Sequence, residues 1–237
     1  MKPRICFLLN NIEDYDFEEV LLRYLPKTKF DITIADSFPV EPESYELIVP
    51  WSYRRIIAGA EKLGNIIIIH SSNLPEGRGW APIYYTFFEQ KTEYTISIIS
   101  ASDRVDSGNI IMRAHFPICD NYTASFIRKL DHEISFLLIL KLFEQWPDGR
   151  FESIKQEGAG TYRSRRSNED NEIDLNKSFS SLIPHLRGVE YSSPAYFKFN
   201  ETKYLIKIEP EIPPKNPETV TIEFPSLDKV ICWSGLR

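Results

Sequence analysis

The chain has 237 residues with 42% hydrophobic and 13% aromatic content, enough to bury a sizeable core in one domain with an appendage or in two small domains. This composition excludes a disordered chain, and no apolar run reaches the roughly 18 residues that a membrane helix needs. A net charge of −6 disfavours nucleic acid as a partner, since such partners are held by an excess of Lys and Arg facing phosphates.

The start, Met1-Lys2-Pro3-Arg4, is basic, but the apolar stretch after it is too short for a signal peptide. Residues 5–9 are therefore expected to form a first strand and the protein to be cytoplasmic. Residues 16–24 read as a helix with acidic residues in its first turn, as the helix dipole prefers. Strands follow at 30–35 and 45–49, a short helix at 53–62, and a strand at 65–69 whose four consecutive isoleucines suit a parallel strand covered on both faces. Strands alternating with helices predict an α/β fold with a doubly wound, mainly parallel sheet and ligands outside the carboxyl ends of its strands.

His70 leaves the isoleucine run into a polar loop punctuated by Gly and Pro, reaching Pro82. A helix at 83–89, a strand at 94–100, the segment Asp103-Arg104-Val105-Asp106-Ser107-Gly108, a strand at 109–113 and a long helix at 123–145 follow. Residues 157–178 are polar, charged and glycine-bearing, the signature of a linker. Beyond them, residues 195–199 and 203–208 flank Asn200-Glu201-Thr202 as a β-hairpin, with further strands at 220–224 and 229–233. The expected division is a catalytic domain over 1–156, a linker over 157–178 and a small β-rich C-terminal part over 179–237. Cys6, Cys119 and Cys232 form neither a disulfide framework nor a zinc pattern, and no metal site is expected.

A histidine leaving a buried strand into such a loop stands where α/β enzymes keep catalytic groups, although a lone histidine is more often structural. Asp106-Ser107-Gly108 by itself reads as a turn. Read together at one end of the sheet, they make a pair in which the carboxylate fixes the imidazole tautomer and stabilises its cation. Arg163-Ser164-Arg165-Arg166 is a local basic cluster suited to one or two phosphates, or equally a solvated linker.

His70-Ser71-Ser72-Asn73-Leu74-Pro75-Glu76-Gly77-Arg78-Gly79-Trp80-Ala81-Pro82, followed by Asp106-Ser107-Gly108, resembles the formyltransferase family that includes methionyl-tRNA formyltransferase and the sugar N-formyltransferases. That family carries N-x-H-P-S-L-L-P-x-x-R-G-x-x-P with a D-x-G element further along. The resemblance covers residues 1–145 and, more loosely, the segment from Tyr162 to Phe197. Two positions depart from the pattern: Ile68 stands where the family has Asn, and Ser71 where it has Pro.

The resemblance implies a Rossmann-like fold, 10-formyltetrahydrofolate as cofactor and formyl transfer to an amine. The form of the loop is similar to that of sugar formyltransferases, which implies a UDP- or dTDP-linked amino sugar as partner, for surface-glycan or nonulosonic-acid-type sugar synthesis. It implies His70 as oxyanion stabiliser or proton shuttle and Asp106 as its orienting partner, with Asn73, a backbone N–H or a water replacing the missing carboxamide. Trp51, Ser52, Tyr53, Gly79, Ser100, Asp103 and Val105 are the expected folate neighbours, Trp51 and Tyr53 reading equally well as core aromatics. Arg78, Tyr162, Arg165, Arg166 and Tyr196 are the expected substrate neighbours, with the two arginines clamping a pyrophosphate. Alternatives are a methionyl-tRNA formyltransferase-like enzyme and an inactive sugar-nucleotide or partner-binding module. Homodimerisation stays open.

Overall fold

The computed structural model describes residues 2–10, 17–53, 55 and 57–236. Strands β1 (Arg4–Leu8), β2 (Asp31–Ala35) and β3 (Leu47–Pro50) form a parallel sheet in the order β2-β1-β3, with helix α1 (Phe17–Tyr24) between the first two in sequence. Asp16, expected in that helix, lies outside the described residues. Strand β4 (Ile67–His70) continues the parallel half through a bridge between Ile48 and Ile66. The α/β expectation with a parallel sheet therefore holds for this half.

From β4 onward the strand sense changes. Strands β6 (Glu93–Ser100) and β7 (Ile110–Pro117) pair antiparallel with β4 and with each other. β11 (Val220–Phe224) adds to β7 and β12 (Lys229–Trp233) to β11, also antiparallel, in the order β12-β11-β7-β6-β4. The C-terminal strands thus extend the main sheet, which the expected boundary at residue 179 does not follow. The hairpin β9 (Ala195–Phe199) and β10 (Thr202–Ile206) makes a separate two-stranded sheet.

The alternation along β1 shows how the sheet is covered on both faces. Ile5 and Phe7 belong to the main core with helices α2 (Pro82–Phe88) and α3 (Ala124–Gln145), whereas Cys6 and Leu8 join Ile48 and Ile66 on the opposite face. Side chains in a strand point alternately to the two faces. The same rule sends Ile67 and Ile69 to the α3 core and puts Ile68 and His70 together on the other face. α3 starts at Thr123, whose hydroxyl caps the Phe126 N–H, and it fills the centre with twelve buried residues.

Two elements differ from expectation. The helix expected over 53–62 contracts to a 3-10 turn, Ala60–Lys62, after the left-handed Gly59, with residues 54 and 56 outside the described set. Helix α4 (Phe179–Gly188) was not signalled, because its serine-rich start and internal Pro184 weaken a helical pattern. Ser178 caps it by accepting from the Ser181 N–H.

Candidate active site

β4 ends at His70, and the site is built on that ring. Nε2 lies 2.8 Å from the Gly77 carbonyl oxygen; a carbonyl only accepts, so Nε2 carries its hydrogen towards it. Nδ1 faces Oδ2 of Asp106 at 3.5 Å, with both side chains about nine-tenths covered. The same carboxylate oxygen accepts from the Gly79 N–H at 2.8 Å. The loop that follows the histidine therefore holds its ring from one side and the carboxylate facing it from the other.

The two segments do not meet by sharing one end of the sheet, as the sequence suggested. Antiparallel pairing carries Ser100 to the amino end of β4, where Ala101 N donates to Ile66 O at 3.1 Å. Residues 101–109 then return along the face that bears Ile68 and His70. Gly108 makes this path feasible, since a Cβ there would meet the Ser100 carbonyl oxygen at 1.7 Å. Ser100 Oγ accepts from Asn109 N at 3.0 Å, so this residue supports the turn. Asp106 itself sits at φ +51, a left-handed conformation that aspartate tolerates better than most residues.

Residues beyond the expected set lock the arrangement. Gln156 Nε2 donates to the carbonyls of Asp106 at 2.9 Å and Gly108 at 2.8 Å, while its Oε1 accepts from Arg78 Nη2 at 2.6 Å. The segment expected to be a linker runs along the loop after His70 as strand β8 (Tyr162–Arg163), parallel to β5 (Arg78–Gly79). Thr161 contributes on both sides, accepting from Gly77 N through Oγ1 and from Arg78 N through its carbonyl. Underneath, Arg113 Nη2 donates to Leu74 O and Ser97 Oγ to Ser72 O. Gln156 and Thr161 carry no local sequence signal, because the backbone groups that their side chains bond lie about 50 and 80 residues away.

Of the expected binding residues, Arg78, Asp103, Val105 and Tyr162 line one cavity of about 510 Å³ beside the Asp106 turn, with Gly160 closing one side. Expected folate and substrate neighbours thus share one space. Val105 and Tyr162 present exposed apolar surface there, flanked by the charges of Arg78 and Asp103. Gly79 serves the site through its N–H and its φ of +96.

Other expectations change. Trp51 is a core aromatic, stacked on Phe136 at 4.5 Å with its edge to Phe7 and Phe17, which leaves it little surface for a cofactor. Ser52 and Tyr53 lie at the carboxyl end of β3, the former at φ +50 and the latter with its hydroxyl 3.4 Å from the Asp36 carbonyl. Asn73 is exposed on a smaller cavity of about 180 Å³ with Ser71, Tyr85 and Arg163, apart from the space that Arg78 and Tyr162 line; neither cavity is lined by His70 or Asp106 themselves. Ile68 packs on Leu74, Ile99 and Ile110.

Arg165 and Arg166 do not form a joint clamp. Arg165 lies over Trp80 at 5.0 Å and Arg166 over Tyr84 at 3.3 Å. Arg166 also donates to Asp170 O and Asn171 Oδ1, and burial lowers its pKa. It lines a third cavity of about 220 Å³ with Arg128, Asn168 and Ser193. Tyr196 is buried in the hairpin with Lys203 Nζ 3.6 Å over its ring, which occupies the face that a base would need.

The formyl transferase family matches residues 12–137, more than half of the chain. A methionyl-tRNA formyltransferase of Geobacillus sp. is 29% identical over 209 residues, covering 82% of this chain and 65% of its own; the chain spans about half the length of several other such relatives. Among solved structures, a methionyl-tRNA formyltransferase from Clostridium thermocellum superposes with a TM-score of 0.73 at 19% identity, covering 99% of this chain and 100% of that one. HypX from Aquifex aeolicus in complex with tetrahydrofolic acid gives 0.71 at 17% identity, over 99% and 44% of the two chains. A 4-N formyltransferase from Francisella tularensis gives 0.70 at 18%, over 89% and 98%. These structural likenesses are of fold.

The Rossmann-like α/β fold places a His–Asp pair beside a cavity lined by the residues around the Asp106 turn. The chain belongs to the formyl transferase family.

Proposed function

We propose that this chain moves the formyl group of 10-formyltetrahydrofolate to the amine of a nucleotide-linked amino sugar. The observation that carries the reading is the His70–Asp106 pair, held by Gly77 O and Gly79 N beside the cavity lined by Arg78, Asp103, Val105 and Tyr162. Exposed apolar surface with charged groups at its edge fits a flat heterocycle bearing polar substituents. When bound, the folate supplies an activated formyl carbon.

The protein's share is positioning and proton handling. The amine that attacks the formyl carbon loses a proton and the departing folate nitrogen gains one, so a group that holds a proton between these events is needed. His70 holds it at Nδ1, where the Asp106 carboxylate faces the resulting cation, while Gly77 O keeps the ring in place through Nε2. Ile68 puts a methyl-bearing side chain where the family has a carboxamide, so oxyanion stabilisation rests on other groups. Removal of one such donor elsewhere typically costs about 10²–10³ in rate, and a slow enzyme is the consequence.

The acceptor is the finer part of the reading. The likeness of fold to a solved sugar N-formyltransferase from Shewanella sp. and the acidic charge support an amino-sugar nucleotide. The second reading, a methionyl-tRNA formyltransferase, is favoured by the Geobacillus relative and by the extent of the Clostridium superposition. Following folate turnover with a panel of UDP- and dTDP-linked amino sugars, against charged initiator tRNA, decides between them. Turnover with a sugar nucleotide supports the first reading, turnover with tRNA supports the second, and none with either supports a non-catalytic binding module.

A further inference from the structure

His70 is followed by a residue whose side chain leaves the site altogether. Ser71 Oγ donates to Oδ2 of Asp131 on α3, and that same oxygen accepts from the Tyr94 hydroxyl at the start of β6. The carboxylate is only 6% exposed and Tyr94 is fully buried. A buried carboxylate needs such donors. Tyr94 remains one at neutral pH, because burial first and the nearby carboxylate second hold its pKa well above 10. Arg128, one turn earlier on α3 and ion-paired to Glu190 at 2.7 Å, adds positive charge near Asp131.

We propose that Asp131 is a positioning residue for His70, acting through Ser71. The proposal rests on the reading of His70 as the proton-handling group. No described contact joins Asp131 to His70, Asp106 or the lined cavity, yet Asp131 anchors the residue that directly follows His70. The family pattern has proline at this position, which fixes the backbone by its ring. Here a hydroxyl tied to a buried carboxylate does the same task from outside. His70 lies in a strand, the extended conformation that a following proline demands, so the backbone before position 71 suits either residue.

The test compares Ser71→Ala, Ser71→Pro and Asp131→Asn in the full chain. Small misplacements of a catalytic group cost up to about 10²-fold in rate, so Ser71→Ala is expected to lower kcat about 10- to 100-fold with KM for folate and amine nearly unchanged. Asp131→Asn should act in the same direction, with the Ser71→Ala/Asp131→Asn double variant little worse than either. Ser71→Pro should restore the rate, which no mere packing role would give. The second readout is the His70 imidazole nitrogen resonances, which should shift or broaden in Ser71→Ala while those of His185 stay fixed. Wild-type kcat in Ser71→Ala with an unmoved His70 signal overturns the proposal. An inactive wild-type chain would sink the formyl-transfer reading instead, leaving the resonances to judge the anchoring.

Discussion

Gly79 gives its N–H to the Asp106 oxygen that lies 3.5 Å from His70 Nδ1, so one carboxylate oxygen ties the catalytic loop to the turn after β6. Gly79 does this at φ +96, and a Cβ there would meet the Arg163 carbonyl oxygen at 2.5 Å and the Tyr162 ring at 2.9 Å. Gly79→Ala should therefore cost about 1–3 kcal/mol through backbone strain and displace β8 from β5. Thermal unfolding reads the loss, and turnover should fall with it. A Tm equal to that of the wild type would mean that the loop accommodates the methyl group without cost.

Gln156 is the second tie. Its side-chain amide satisfies the carbonyls of Asp106 and Gly108 together, and removing a partner from part-buried groups costs about 1–3 kcal/mol. Gln156→Ala should lower kcat, because Asp106 loses its placement, and should also raise KM, because Arg78 loses its hold in the cavity lining. Steady-state kinetics with separate folate and amine titrations checks this.

Ile68→Asn restores the family residue but not its setting. The side chain is packed by Leu74, Ile99 and Ile110, so an amide there faces apolar groups and costs about 1–3 kcal/mol. The variant is expected to be less stable and no faster than the wild type. A folded variant with higher turnover would show that the site retains room for the carboxamide.

Stability should depend on pH through His132 and His185. Burial is the first cause that lowers both below the ordinary value of 6.5. The unfolded chain then binds protons that the folded one refuses as pH falls, so the stabilisation is complete above about 6.5 and is lost as pH falls towards the depressed folded values. Tm should decline from pH 7 to pH 5. His132→Gln should flatten the decline, whereas an unchanged slope would place its origin in other groups.

The catalytic loop was legible because its composition is unusual at each step. A β-branched run, then His70, then Gly and Pro at fixed offsets, left little freedom in where β4 ends. Asp106 was legible as a residue, but its route to His70 was not, since antiparallel pairing of β6 follows from contacts far apart in sequence. For the same reason the sequence places β11 in an appendage, although it hydrogen-bonds β7. Residues 157–163 looked like a linker because polar, glycine-bearing composition says nothing about backbone partners. Trp51 and Tyr196 show the converse limit: aromatic identity is visible in a sequence, but what covers each ring is not.

The central claim is that His70 and Asp106 act as one unit in formyl transfer. The measurement is turnover of 10-formyltetrahydrofolate with an accepted amine by wild type, His70→Ala, Asp106→Ala and the double variant, each checked for folding by thermal melt. Groups that act together are non-additive, so each single variant should lose at least about 10²-fold and the double variant little more. Wild-type turnover by folded His70→Ala, or losses that multiply in the double variant, would contradict the account.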